Sequence, residues 1–230
     1  MKDREQVRPV KPQDSAGLIY TTLKREILNL TIKPGEEVCE SSICSRFNAS
    51  RTPVREAFMR LQNAGLLTTV SYKGSIASLL DYDAIQQVIY MRSIVESAVL
   101  SDFIGKITPY QIEELRYRIN LQRILVSDAI DINKFFEADY EFHSIWFTHE
   151  KKEVLWKIIQ RSQFHYSRFR MLDLKDTDHC KDIFNEHEHL FSLIEKKETG
   201  KISGFINEHL QGGMHRIAER ITKDYASYFL

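Results

Sequence analysis

The segment Ser50-Arg51-Thr52-Pro53-Val54-Arg55-Glu56-Ala57, running on to Gly65-Leu66-Leu67, constrains this chain more than any other. Serine stands where a helix cap is expected, Pro53 and Glu56 fall in the first turns, and Gly65 supplies a stop. The spacing predicts a helix that starts at a Ser50 cap. Arg51 and Arg55 are four apart and share one face, with Thr52 beside them. A helix fits the major groove of B-DNA, where arginine is the best single reader of guanine, and its N-terminus points backbone N–H groups at phosphate. Double-stranded DNA is therefore the first partner expected. Taken alone, the same residues also suit a solvated charged face of any helical domain.

The flanking sequence narrows that choice. Ile19, Leu23, Ile27 and Leu30 recur at helical spacing, which predicts a first helix over about Gly17–Asn29. Pro34-Gly35 makes a turn, and a short helix follows over about Glu40–Phe47 with Ile43 and Phe47 facing in. Asn48-Ala49 is the tight turn before Ser50. Leu66–Val70 and Ser75–Leu79 read as strands around a hairpin tip at Tyr72-Lys73-Gly74. The order is that of a winged helix-turn-helix, expected over residues 12–80. Lys73 and Gly74 at the wing tip are placed to reach the adjacent groove, and Arg46 and Lys24 to contact phosphate. From Asp81 onward the pattern is helical throughout, with helices expected over about 82–104, 109–126, 131–148, 151–172, 179–197 and 200–222. The fold class expected is mainly α, a winged helix-turn-helix followed by an all-α antiparallel bundle over 81–222.

Composition adds limits. Lys+Arg and Asp+Glu are both 32, so formal net charge is zero, but residues 1–80 carry an excess of 4 positive charges and the rest an equal negative excess. A basic front and an acidic back suit a DNA-binding unit joined to something else. No apolar run reaches the ~18 residues of a membrane span, and the charged N-terminus has no signal core. Cys39, Cys44 and Cys180 cannot all pair within one chain, and are read as reduced thiols of a cytoplasmic protein.

The back half holds a second constellation. Phe135, Phe136, Trp146 and Phe147 mark the buried face of their helix, and Asp139 and His143 lie on that face, four apart. His187 shares a face with Leu190, Phe191 and Ile194, and His209 with Ile202, Phe205 and Ile206. Buried ionisable groups are costly unless paired, hydrogen-bonded or bound to metal. Each is therefore either a satisfied core residue or, together, a site for a divalent ion with N/O preference such as Zn²⁺, Ni²⁺ or Mn²⁺. His189 points away from His187's face. Glu186-x-x-His189 is half of a di-iron motif whose other half is absent. His149, His165, His179 and His215 have no pattern and are expected at the surface or as caps. Arg92 lies on an apolar stripe with Ile85, Ile89, Glu96 and Val99, and needs an anion, either Glu96 at i+4 or a ligand.

On Pro34-Gly35, on Ser50 through Ala57, and on Leu61 with Gly65-Leu66-Leu67, the front resembles the GntR family of bacterial transcription regulators. Ser41 departs from the Glu or Arg that many members carry there. The back resembles the FCD effector domain of the FadR subfamily across residues 82–220, with Lys152 where an Asn is common. The resemblance implies DNA contact at Arg51, Thr52, Arg55 and Gly74. It implies a metal held by Asp139, His143, His187 and His209, and a small organic-acid effector whose carboxylate Arg92 helps to bind. A short half-site per winged helix argues for a homodimer on a palindromic operator. Two rivals accompany this reading: a metal-dependent enzyme with an appended DNA-binding module, and a bundle whose metal is purely structural. No general base stands near the cluster in sequence, since Glu141 faces elsewhere, so the chain is read as a regulator and not an enzyme.

Overall fold

The computed structural model describes residues 12–71, 74–127 and 129–230, with side chains from Ser15 onward. It falls into two compact units, one ending at Leu79 and the other beginning at Leu80. Among the described residues there are ten α-helices and one two-stranded sheet. No helix is long and apolar enough to cross a membrane.

The first unit is built from α1 (Pro12–Leu28), α2 (Glu40–Phe47), α3 (Arg51–Asn63) and the strands β1 (Leu67–Val70) and β2 (Gly74–Ala77). Ile19, Leu23 and Ile27 of α1 and Val54, Ala57 and Leu61 of α3 are completely buried. Complete burial of each large aliphatic side chain is worth about 1.5–3 kcal/mol, and this shared stripe fixes α3 on α1. Asn48 ends α2 in the left-handed conformation (φ 46°) and its N–H bonds back to the helix, so the chain turns directly into α3. The strands pair antiparallel with Leu67 opposite Ala77 and Val70 opposite Gly74. Glu36 and Val38 add further backbone hydrogen bonds along β2, which makes a broader wing than two strands alone.

Two expectations for this unit need correction. The first helix starts earlier than Gly17, at Pro12. Ser50 holds the extended N-cap backbone (φ −71°, ψ 168°), yet its side chain makes no capping hydrogen bond. The helix start rests on backbone geometry and Pro53, and the hydroxyl stays in solvent.

The second unit packs α4 (Tyr82–Lys106), α5 (Pro109–Ser127), α6 (Ile132–His149), α7 (Glu153–Ser162), α8 (Phe164–Asp173), α9 (Thr177–Glu195) and α10 (Thr199–Lys223). Carboxylates at Asp81, Asp131 and Asp176 cap α4, α6 and α9, satisfying amide groups that a helix start leaves open. The core is aromatic: Phe103, Phe135, Phe142, Trp146, Phe147 and Phe169 are all buried. The single helix expected over 151–172 is two helices, broken at Gln163 (φ −97°, ψ 17°). After a short 3-10 turn, the last residues return to the beginning of the unit. The Leu80 N–H donates to the Tyr228 carbonyl (2.7 Å) and the Leu230 N–H to the Leu80 carbonyl (3.0 Å).

Candidate functional site

In the first unit the candidate contacts lie on α2, α3 and the wing. Arg51, Thr52 and Arg55 are all exposed. Arg55 Nε donates to Glu40 Oε2 at 3.0 Å in an exposed pair, an arrangement worth little in water and free to exchange for a phosphate or a base. Arg46 differs, because its guanidinium grips the buried Glu26 carboxylate through both terminal nitrogens and lies over the Phe47 ring. That pairing holds the Glu26 carboxyl below the usual range and ties α2 to α1, so Arg46 has a structural task in addition to any phosphate contact. Arg60 stacks over the Tyr20 ring at 4.2 Å. Gly74 is exposed, with φ 83° and open space around it, a left-handed conformation that favours glycine. Lys73 lies outside the described residues.

The second unit brings Asp139, His143, His187 and His209 together. The helix α6 supplies the first two, α9 the third and α10 the fourth, and one ligand atom from each lies within 4.8 Å of all the others. All four residues are buried. His143 Nε2 and His209 Nε2 are 3.2 Å apart, and His187 Nε2 and His209 Nε2 3.4 Å. Asp139 Oδ1 is 3.5 Å from His187 Nε2.

The outer nitrogens explain why the inner ones face each other. His143 Nδ1–H donates to Glu96 Oε2 at 2.7 Å, and Glu96 Oε1 also accepts from Arg92 Nε at 2.6 Å. His187 Nδ1–H donates to Gln122 Oε1 at 2.7 Å, and the Gln122 amide is oriented by its own bond to the Ala138 carbonyl. His209 Nδ1–H donates to Glu186 Oε2 at 2.6 Å, and Glu186 is held by Arg216. With each proton on Nδ1, every Nε2 presents a lone pair to the centre. Burial pushes the pKa of His187 far down and that of His209 down, so both rings stay neutral and no ring proton lies between them. Burial pushes Glu96 up, but the Arg92 charge and the hydrogen bonds from His143 and Arg92 bring it down to about 2. Asp139 is likewise ionised: Arg170 donates to both its oxygens (2.5 and 3.0 Å) and overcomes the cost of burial.

Converging lone pairs repel unless something positive stands between them. Imidazole nitrogens bound to one ion at about 2.0–2.1 Å lie roughly 2.8–3.0 Å apart at octahedral and roughly 3.3–3.4 Å apart at tetrahedral angles, and the two closest separations, 3.2 and 3.4 Å, fall near the tetrahedral value. The donor set, three neutral imidazoles and one carboxylate, suits a borderline divalent ion. Each histidine also has an outer partner of the kind that orients metal ligands. The residues therefore fit such an ion.

Arg92 is buried with Glu96 as partner, and its guanidinium carbon lies 5.0 Å from the Tyr166 ring centre. Glu96 takes Nε, one of the two anions that the sequence offered, and Arg92 also lines a cavity with Asp139, Gln163 and Arg170. Glu141 pairs with Arg118 on an exposed face and His189 is exposed, packed against Phe205, so neither joins the site. Of the four histidines without a pattern, His149 stacks on Phe103 and His179 contacts Asp173. His165 accepts from the Asp81 N–H, and His215 is exposed.

Sequence reasoning missed Gln122, Arg170 and the true task of Glu186. Glu186 was visible only as half of a di-iron motif. Arg170 had a signal: it is a charge set among Phe169, Met171 and Leu172.

Two family models match the chain, one described as bacterial regulatory proteins, gntR family, over residues 16–76, and one as the FCD domain over residues 87–212. The HTH-type transcriptional repressor RspR of Escherichia coli (strain K12) is 27% identical over 206 residues, covering 90% of this chain and 89% of RspR. The Nta operon transcriptional regulator of Aminobacter aminovorans is 26% identical over 189 residues, 82% of this chain and 88% of its own length. Among solved structures, E. coli McbR/YncC superposes with a TM-score of 0.71 at 14% identity, over 92% of this chain and 99% of that one.

Proposed function

This chain belongs to the gntR family of bacterial regulatory proteins and carries an FCD domain, and from that premise we propose how this DNA-binding transcriptional regulator is controlled. It is a FadR-subfamily member that binds a palindromic operator as a homodimer. Arg51, Thr52, Arg55 and the wing at Lys73 and Gly74 contact DNA, with Ser50 and Arg46 at the phosphates. The bundle holds a divalent ion on Asp139, His143, His187 and His209 and senses a small organic acid, whose carboxylate meets Arg92. RspR is named a repressor, and repression is the direction we infer here.

The observation that carries the metal is the set of three Nε2 lone pairs, each aimed inward by a hydrogen bond from its own Nδ1–H. A bound ion would give the cavity a fixed positive charge and coordination sites for ligand oxygens. The chain's own groups do the rest: Glu96, Gln122 and Glu186 hold the rings in one tautomer, Arg170 keeps Asp139 ionised, and Arg92 offers donors to a carboxylate. For the acid to act as a switch, it must bind the DNA-competent and DNA-incompetent states with different affinity.

Metal analysis and native mass spectrometry of the purified protein test this reading together. The expected result is about one divalent ion per chain and a dimer mass, with the ion lost in a His143→Ala/His187→Ala double variant. A native protein that takes up no Zn²⁺, Ni²⁺ or Mn²⁺ when each is supplied would remove the metal from the reading, and a monomer at operator-binding concentrations would remove the homodimer.

A further inference from the structure

The last residues of the chain make a contact that neither the tetrad nor the DNA-reading surface needs. Beyond α10 the chain turns at Tyr225, which is buried. Its N–H donates to the Arg220 carbonyl at 3.0 Å, and its hydroxyl accepts from Arg220 Nη2 at 2.8 Å. The Lys175 ammonium, just past α8, lies 5.6 Å from its ring centre. Tyr225 is therefore an anchor, fixed to α10 and to the segment after α8. From it Ala226–Tyr228 make one 3-10 turn, and Phe229 is extended (φ −107°, ψ 156°) and pairs parallel with Leu80.

Leu80 is where the second unit begins. Its side chain is completely buried. Both its backbone groups are taken by the returning segment, the N–H by the Tyr228 carbonyl and the carbonyl by the Leu230 N–H. The Phe229 ring meets Tyr82 edge-on, with centres 6.5 Å apart. Leu79 and Leu80 are joined covalently, so whatever holds Leu80 holds the point at which the first unit is attached. The segment that holds it continues α10, and α10 carries His209 of the tetrad.

The anchor is firm and the segment beyond it is lightly held. Tyr228 and Phe229 are half-buried and Leu230 is exposed. A segment with few buried contacts lies at the low end of local stability and opens without unfolding the rest. A light element between two firm ones has two discrete states, docked and released, and coupling between distant sites needs an element of that kind.

We propose that residues 225–230 are a strap that couples the bundle to the winged helix: docked on Leu80 it fixes the start of the second unit, and released it frees it. This rests on the reading of the tetrad as a metal site and adds the route by which its occupancy reaches the DNA-binding unit. An ion bonded to His209 restrains α10, from which the strap extends, and so favours the docked form.

Two variants loosen the strap without touching the tetrad. Phe229→Ala removes the ring contact. Leu230→Pro removes one N–H donor, and the extended backbone of Phe229 already suits the residue before a proline. The full chain is compared Zn²⁺-loaded and chelator-treated, by ion content, by hydrogen exchange at the Leu80 N–H, and by affinity for a duplex that the native protein selects from a random pool. In the native protein the two affinities should differ about fivefold or more, and the Leu80 N–H should exchange faster after chelation. Both variants should hold as much Zn²⁺ as the native protein, while the affinity ratio falls to near one and Leu80 exchange no longer responds to Zn²⁺. A segment that only adds stability would weaken DNA binding equally with and without Zn²⁺, so a native ratio that survives in both variants overturns the strap. A ratio of one in the native protein with Zn²⁺ bound also overturns it and leaves the metal site standing. No uptake of Zn²⁺ by the native protein removes the metal site and this inference with it.

Discussion

The winged helix and the bundle treat charge in opposite ways. Arg51 and Arg55 stand in solvent, and Glu40, which pairs with Arg55, is exposed as well. Asp139, His143, His187 and His209 are buried, each has a partner, and the partners of the three histidines are held by a further group in turn. Arg46 apart, the front fold is a platform whose stability owes little to the residues it displays. The back fold is assembled around its site, because ionisable groups taken from water must be satisfied wherever they lie. Substitution should therefore separate function from stability in the first unit and couple them in the second.

The strongest way to break that contrast is to remove a partner from the bundle. Arg170→Ala strips Asp139 of its cation at a buried position, which typically costs about 3–5 kcal/mol and should lower the melting temperature of a unit this size by roughly 6–20 °C. A bound divalent ion supplies positive charge to the same carboxylate, so the loss should be larger after chelator treatment than with metal present. Calorimetric melting of native and variant protein, with and without chelator, reads both effects. A drop no larger than that of a surface substitution would show that the bundle tolerates its charges as the winged helix does.

Arg55→Ala probes the other side. Its pair with Glu40 is exposed and worth about 0–1 kcal/mol, so the melting temperature should hardly change. Operator binding should instead lose discrimination of about 1–3 kcal/mol at one base pair. Competition binding against operators changed singly at each position would show it. A uniform loss across unrelated sequences would reassign Arg55 to phosphate, and a large fall in melting temperature would break the contrast from the front.

How much of this was legible in sequence follows the same division. The front is local: Pro34-Gly35, Asn48 and the Ser50–Ala57 run each act within a few residues, and α2 falls where its apolar spacing puts it. Asp139 and His143 were legible because they are four apart on an aromatic face. His187 and His209 showed themselves as polar residues on apolar stripes. Gln122, Glu186 and Arg170 were not legible, because their tasks depend on which helix crosses which. Glu186 serves a histidine on α10, and nothing near it in sequence says so. The break at Gln163 was invisible for a different reason. The positions 156, 159, 163, 166 and 170 continue one helical stripe without a phase shift, so periodicity predicts one helix where the backbone makes two. Ser50 marks the converse error, since a good cap residue at the right position made no cap bond.

The smallest expected effect belongs to a residue between the two regimes. His165 is half-buried, and its Nδ1 accepts the Asp81 N–H at 3.1 Å. Burial, with the nearby Arg168 charge, pushes its pKa down to about 4, against a weaker pull from Asp81. The sign follows from linkage. Between pH 6.5 and 4 the unfolded chain binds a proton that the folded chain refuses, so this residue's contribution is complete above pH 6.5 and is lost as pH falls toward 4. Protonating Nδ1 would also remove the acceptor that Asp81 uses at the start of α4. Partial exposure screens the effect, so the expected loss is about 2–4 °C of melting temperature, well below that of Arg170→Ala. Carboxylates elsewhere titrate in the same window, so the measurement is a difference: His165→Gln keeps an acceptor and cannot gain the proton. Its melting temperature should fall less than the native value between pH 7.5 and 5, and parallel falls would mean that His165 behaves as an exposed residue.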